Sequence, residues 1–157
     1  MSSPKLKNAT GQNKQSMKSP ALILIALFIS SCSFAAEVPS IIKEGFDAYK
    51  EKGVAAGFDT WLRGSAMEGD TTSKLSILGG MTQVEAAYGK MESYEVIGTF
   101  FPAARLQRVY TVSYHTKGPV FAYFDLYKTE KGWVAYMFNF NTKPQEILSR
   151  ELIDKKG

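Results

Sequence analysis

The apolar residues of this chain change their spacing once. Between Ile42 and Tyr88 they recur at threes and fours, and from Tyr94 to Phe140 they alternate. The first period belongs to a helix with one buried face and the second to a strand. Helices first, then strands joined by short turns, predicts an α+β layout.

Ile42, Phe46 and Tyr49 form one face of a first helix, opened by Pro39 and interrupted at Gly53. Val54, Phe58, Trp61 and Leu62 repeat the spacing on a second short helix that stops at Gly64-Ser65, and Ala66 to Thr72 reads as a loop. Ile77, Met81, Val84, Tyr88 and Met91 make a third stripe, widened by Leu75 and Leu78, of the kind that faces a core. Gly79-Gly80 in that helix predicts a bend or a close approach of another segment. Four strand-like runs follow: Tyr94–Phe101, Leu106–His115, Val120–Lys128 and Trp133–Phe140. Turn-forming residues separate them, which predicts an antiparallel meander. Asn141-Thr142-Lys143-Pro144 then opens a short C-terminal helix with Ile147, Leu148 and Leu152 on its apolar face.

The order of these pieces carries a resemblance. Helix, helix, Tyr88-Gly89-Lys90, a strand, Gly118-Pro119-Val120-Phe121, Phe124-Asp125-Leu126-Tyr127-Lys128 and Lys131-Gly132-Trp133-Val134 resemble the NTF2-like superfamily. The likeness is closest to its small secreted bacterial members of unassigned function, and it spans Val38 to Asp154. It implies a cone in which a curved four-stranded sheet wraps the N-terminal helices, and it supports a homodimer formed through the sheet.

Strand parity assigns the sheet faces. Four-residue loops at Thr116–Pro119 and Thr129–Gly132 would set Tyr110 opposite Asp125, Asp125 opposite Tyr136 and Tyr123 opposite Phe138, with Arg108 diagonal to Asp125. One face then carries Arg108, Tyr110, Tyr123, Asp125, Tyr136, Phe138 and Phe140. The other carries Val109, Thr111, Phe124, Leu126 and Met137. Neither is a plain solvent face, so one side is expected to cover the helices and the other a second copy of the chain. An Arg–Asp pair among tyrosines suits a partly polar pocket turned into the cone. The expected ligand-binding residues are Arg108, Asp125, Tyr110, Tyr123 and Tyr136 on the sheet, with Trp61 and Tyr88 from the helices. The plainer reading is an ion pair that fixes strand register.

The first 36 residues differ from the rest. Lys5, Lys7, Lys14 and Lys18 stand without an acid, the run Ala21 to Ile29 is apolar, and small residues follow. This is the pattern of an export signal, and a start at Met17 gives a tidier one. Two exits fit. Ser33-Phe34-Ala35 predicts cleavage after Ala35, leaving a soluble single domain of residues 36–157. Ile29-Ser30-Ser31-Cys32 resembles a bacterial lipobox, in which Cys32 is lipidated and tethers the product to a membrane. The expected location is periplasmic or secreted.

The leader also accounts for the basic balance. The chain has 19 Lys and Arg against 15 Asp and Glu. Without the four leader lysines the balance is zero, so no basic face for nucleic acid is expected. One Cys and one His exclude a Cys/His metal cluster built by this chain alone, and no cofactor is expected. No Gly-rich phosphate loop and no Gly-x-Ser-x-Gly elbow is present. The favoured expectation is a non-catalytic domain that binds a small or extended apolar ligand, or a partner, in its cone. One alternative is an isomerase- or lyase-like enzyme using buried Asp125 and a tyrosine. Another is an interaction subunit whose cone is filled by its own side chains.

Overall fold

A computed structural model describes residues 37–154. The leader, with the expectations placed on Met17, Cys32 and Ala35, lies outside them. The elements are α1 (Ser40–Lys52), α2 (Val54–Leu62), α3 (Thr71–Tyr88), β1 (Met91–Ala103), β2 (Leu106–His115), β3 (Gly118–Thr129), β4 (Gly132–Asn141), a 3-10 turn (Pro144–Glu146) and α4 (Arg150–Asp154). The four strands form one antiparallel sheet in the order β1-β2-β3-β4. This is the α+β arrangement of helices, meander and short C-terminal helix. Among the described residues no helix is long and apolar enough to cross a membrane.

α1 and α2 cross closely because glycines stand where they meet. A Cβ on Gly45 would lie 1.9 Å from Trp61 Nε1, and one on Gly57 would lie 2.8 Å from Tyr49 Cβ. Trp61 thus settles on α1 and donates its indole N–H to the Ile42 carbonyl at 3.2 Å. The two helices bury Ile42, Phe46, Phe58, Trp61 and Leu62 against Val109, Phe124, Leu126, Ala135 and Phe138 of the sheet. Trp61 stacks on Phe138 with ring centroids 5.7 Å apart, and Phe46 stacks on Tyr94 at 4.0 Å. Each such side chain contributes about 1.5–3 kcal/mol by leaving water, so this cluster anchors the fold.

α3 departs from its expected role. Asp70 caps it by accepting from the Ser73 amide at 3.1 Å, so the helix begins at Thr71, inside the expected loop. It ends at Tyr88 because Gly89, at φ +84°, turns the chain, and Met91 opens β1 instead of extending the helix. Within α3 itself only Met81 of the stripe is buried, and Leu75 is 62% exposed. α1 and α2 already cover most of the sheet's inner face, which leaves α3 at its margin. Gly80 admits the Phe140 ring there, whereas Gly79 faces open space.

The sheet register corrects the parity reading in two places. β2 and β3 are joined by two residues rather than four, since His115 pairs with Gly118. The faces are kept, but Arg108 now lies directly opposite Asp125, and Tyr110 opposite Tyr123. In β4, Lys128–Trp133 and Tyr127–Val134 pair as expected. A bulge then intervenes: Leu126 pairs with Ala135 but Asp125 with Met137, which leaves Tyr136 as the extra residue. Beyond it every β4 side chain changes face. Phe138 now pairs with Phe124 and Phe140 with Ala122, both on the helix side, while Met137 and Asn139 take the other side.

The tyrosine-bearing face is therefore turned away from α1 and α2, not toward them. The dry side holds Val109, Phe124, Leu126, Ala135 and Phe138.

Candidate functional site

The far face of the sheet holds the Arg–Asp pair at its centre. Arg108 on β2 and Asp125 on β3 are register partners. The Arg108 guanidinium donates Nε–H to Asp125 Oδ1 at 2.6 Å and Nη2–H to Oδ2 at 2.7 Å. This two-pronged geometry is the strong form of an ion pair. Asp125 is 7% exposed, and the Arg108 side chain keeps 34% of its surface. The hydrogen bond with Asp125 holds the guanidinium charged even more firmly than usual, against an opposing effect of burial. Tyr123 lies under the guanidinium, with its ring centroid 4.2 Å from Cζ, and Tyr110 stands at 6.0 Å. The two tyrosine rings meet edge to face at 6.3 Å.

The pair forms part of the lining of a recess of about 860 Å³. Tyr110 and Tyr136 join it from the sheet, Gly98, Phe100 and Pro102 from β1, and Ser149 to Leu152 from the C-terminal segment. Leu106 and Tyr136 also belong to an adjoining, shallower hollow of about 440 Å³, which continues along Tyr127 and Val134 to Gly64. Away from the ion pair the recess mixes apolar walls with Thr99, Ser149, Arg150 and Glu151, whereas the adjoining hollow is mostly apolar, and Tyr127 and Tyr136 remain 37% and 42% exposed. The arrangement offers one polar end and a longer apolar track.

A second recess, of about 740 Å³, opens where Ser40, Ile41 and Glu44 of α1 and Arg63-Gly64 meet the β3–β4 turn, but the space deeper between helices and sheet is closed. The space enclosed by Phe46, Tyr49, Trp61, Met81 and Phe138 has about 10 Å³, room for one water at most. The helix side of the sheet is filled at its centre by the protein's own aromatic residues.

The seven expected ligand-binding residues thus separate. Arg108, Asp125, Tyr110 and Tyr136 line the far-face recess. Tyr123 supports Arg108 from beneath. Trp61 is in the core at 1% exposure, on the opposite side of the sheet. Tyr88 closes the end of α3, where its carbonyl accepts from the Lys117 amide and its ring lies against Gly118. Sequence reasoning missed Gly98 and Leu152. Leu152 carbons stand 2.9 and 3.0 Å from where a Gly98 Cβ would be. The available signal was a lone glycine inside an aromatic strand, which often marks a close approach.

His115 has a structural setting. Its Nδ1 is 2.9 Å from the Gly89 carbonyl, which fixes Nδ1 as the donor, and its Nε2 lies 3.2 Å from Ser113 Oγ. Both side chains are buried, on the helix side of the sheet. Asp125 has each carboxylate oxygen engaged by Arg108. Compared with protein-family models, with curated proteins and with solved structures, the chain matches none.

Proposed function

We propose that this chain is an exported, non-catalytic binding domain of NTF2-like type, and that its ligand lies on the far face of the sheet. The ligand is extended and largely apolar with one polar end. The polar end meets the Arg108–Asp125 pair, and the apolar stretch follows Leu106, Tyr136, Tyr127 and Val134. The observation that carries this reading is the continuous recess on one face beside a filled interior on the other. The clasped geometry of Asp125 favours binding over proton transfer.

A fluorescent long-chain amphiphile titrated into the full chain tests the reading. Leu106→Asp places a charge in the apolar track and should weaken binding by about tenfold or more. Binding unaffected by Leu106→Asp and by Arg108→Ala would remove the site. Export has its own check: Cys32→Ser followed by membrane fractionation separates a lipid-anchored product from a soluble one.

A second copy of the chain on the sheet is the partner this reading takes, and exposed Tyr114 and Met137 on the far face, outside the ligand track, favour it. Light scattering of Tyr114→Glu and Met137→Glu variants tests this. A monomeric wild type, or a dimer that both variants keep, would reject this surface.

A further inference from the structure

We propose that the C-terminal segment is a strap latched across the recess by Leu152 on Gly98, and that its release opens the site; this rests on reading the recess as the binding site. β4 ends at Asn141 on one edge of the sheet, and Leu152 meets Gly98 on β1, the opposite edge. Gly98 pairs with Tyr110, so it belongs to the far face. The segment between therefore crosses that face, and Ser149 to Leu152 become a wall of the recess.

The strap is held at two points. Ile147 is buried at 5% exposure, near its start. Leu152 occupies the space that any side chain at position 98 would need. Between and around these anchors the polar contacts are local. The Ile147 and Leu148 amides donate to the Pro144 carbonyl, and the Leu152 and Ile153 amides to the Ser149 carbonyl. Among the described residues no ion pair and no hydrogen bond joins residues 144–154 to the sheet. α4 has five residues, too few to persist without tertiary support. A segment held by side-chain packing alone opens well before the hydrogen-bonded sheet beneath it.

The closed strap shelters Asp125 and Tyr110, and the open one exposes the recess floor along its length. Gly98 is the setting of the latch. A single methyl there presses on the two end carbons of Leu152 and displaces them from the latch while leaving the Arg108–Asp125 pair in place, and Leu152→Ala removes the latch from the other side.

Hydrogen exchange on the full chain reads the latch directly. Wild-type amides of Leu152 and Ile153 should be protected, and Gly98→Ala and Leu152→Ala should each speed their exchange by about tenfold or more, with β2 amides unchanged. The same variants should bind 1-anilinonaphthalene-8-sulfonate faster than wild type. Strap amides that exchange at the free-chain rate in wild type would overturn the latch. So would strap and β2 amides that accelerate together, or a Leu152→Ala strap as protected as wild type. Released strap amides with no dye binding in any variant would leave the latch standing and remove the recess as a binding site.

Discussion

Arg108 and Asp125 face each other across β2 and β3, and the guanidinium grips both carboxylate oxygens, at 2.6 and 2.7 Å. Removing one partner leaves the other charge in a half-dry site. Asp125→Ala should destabilise the fold by about 2 kcal/mol, below the range for a fully buried pair because Arg108 retains solvent. The double variant Arg108→Met, Asp125→Leu should recover most of that loss, since no lone charge remains. Urea unfolding of the three proteins checks both statements. A double variant as unstable as the single would mean that the pair contributes more than its own neutralisation.

The crossing of α1 and α2 depends on Gly45. Alanine there gains helix propensity of about 1 kcal/mol, but its Cβ would stand 1.9 Å from Trp61 Nε1 and 2.1 Å from Cδ1. The indole must move, and its bond to the Ile42 carbonyl is lost. Gly45→Ala should therefore destabilise by about 1–3 kcal/mol net. Gly79→Ala is the matched control: the site is helical and nothing lies within 4 Å. It should stabilise by about 0.5–1 kcal/mol. Thermal unfolding of the pair should shift in opposite directions.

These two cases show what the sequence could reveal. The face of α1 was legible because Ile42, Phe46 and Tyr49 have no other use. The Arg108–Asp125 pair was legible because opposite charges stood on one face of two neighbouring aromatic runs, although four-residue turns would set them diagonally and the two-residue turn sets them directly opposite. Which side of the sheet the helices cover was not, because both faces carry large side chains. A single bulged residue, Tyr136, decides it by moving Phe138 and Phe140 beside Phe124 and Ala122. Nothing local in β4 announces that bulge. The Leu152–Gly98 contact joins segments at opposite edges of the sheet, so no spacing rule reaches it. Trp61 looked available for a ligand because its pocket is made by a glycine on a different helix.

Gln107 is 2% exposed, and neither its amide nitrogen nor its oxygen has a hydrogen-bond partner. A buried unpaired polar group destabilises by about 1–3 kcal/mol. Gln107→Met keeps the length of the side chain and removes both atoms. It should raise stability by about 1–2 kcal/mol. A fall in stability, measured by chemical denaturation, would show that the amide is bonded in solution, with an ordered water the first candidate.

Tyr49 gives the fold an alkaline limit. Its hydroxyl is buried without a hydrogen-bond partner. Burial raises its pKa far above the ordinary 10.0, and the charge of nearby Glu85 raises it further. Above pH 10 the unfolded chain releases this proton while the folded chain keeps it. The unfolded state then binds fewer protons, so stability present below the ordinary value is lost as pH rises above it. Tyr94 is shifted in the same direction, chiefly by burial, and contributes to the same limb. Tyr49→Phe should flatten the stability curve above pH 10 by up to one proton's slope, about 1.4 kcal/mol per pH unit. At neutral pH it should leave stability unchanged or higher, because an unpaired hydroxyl disappears. Phenolate absorbance supplies the second readout: one tyrosine of the wild type should ionise only as the fold is lost, and that step should vanish in Tyr49→Phe. An identical alkaline limb in the two proteins would mean that Tyr49 ionises in the folded state, with its hydroxyl open to water.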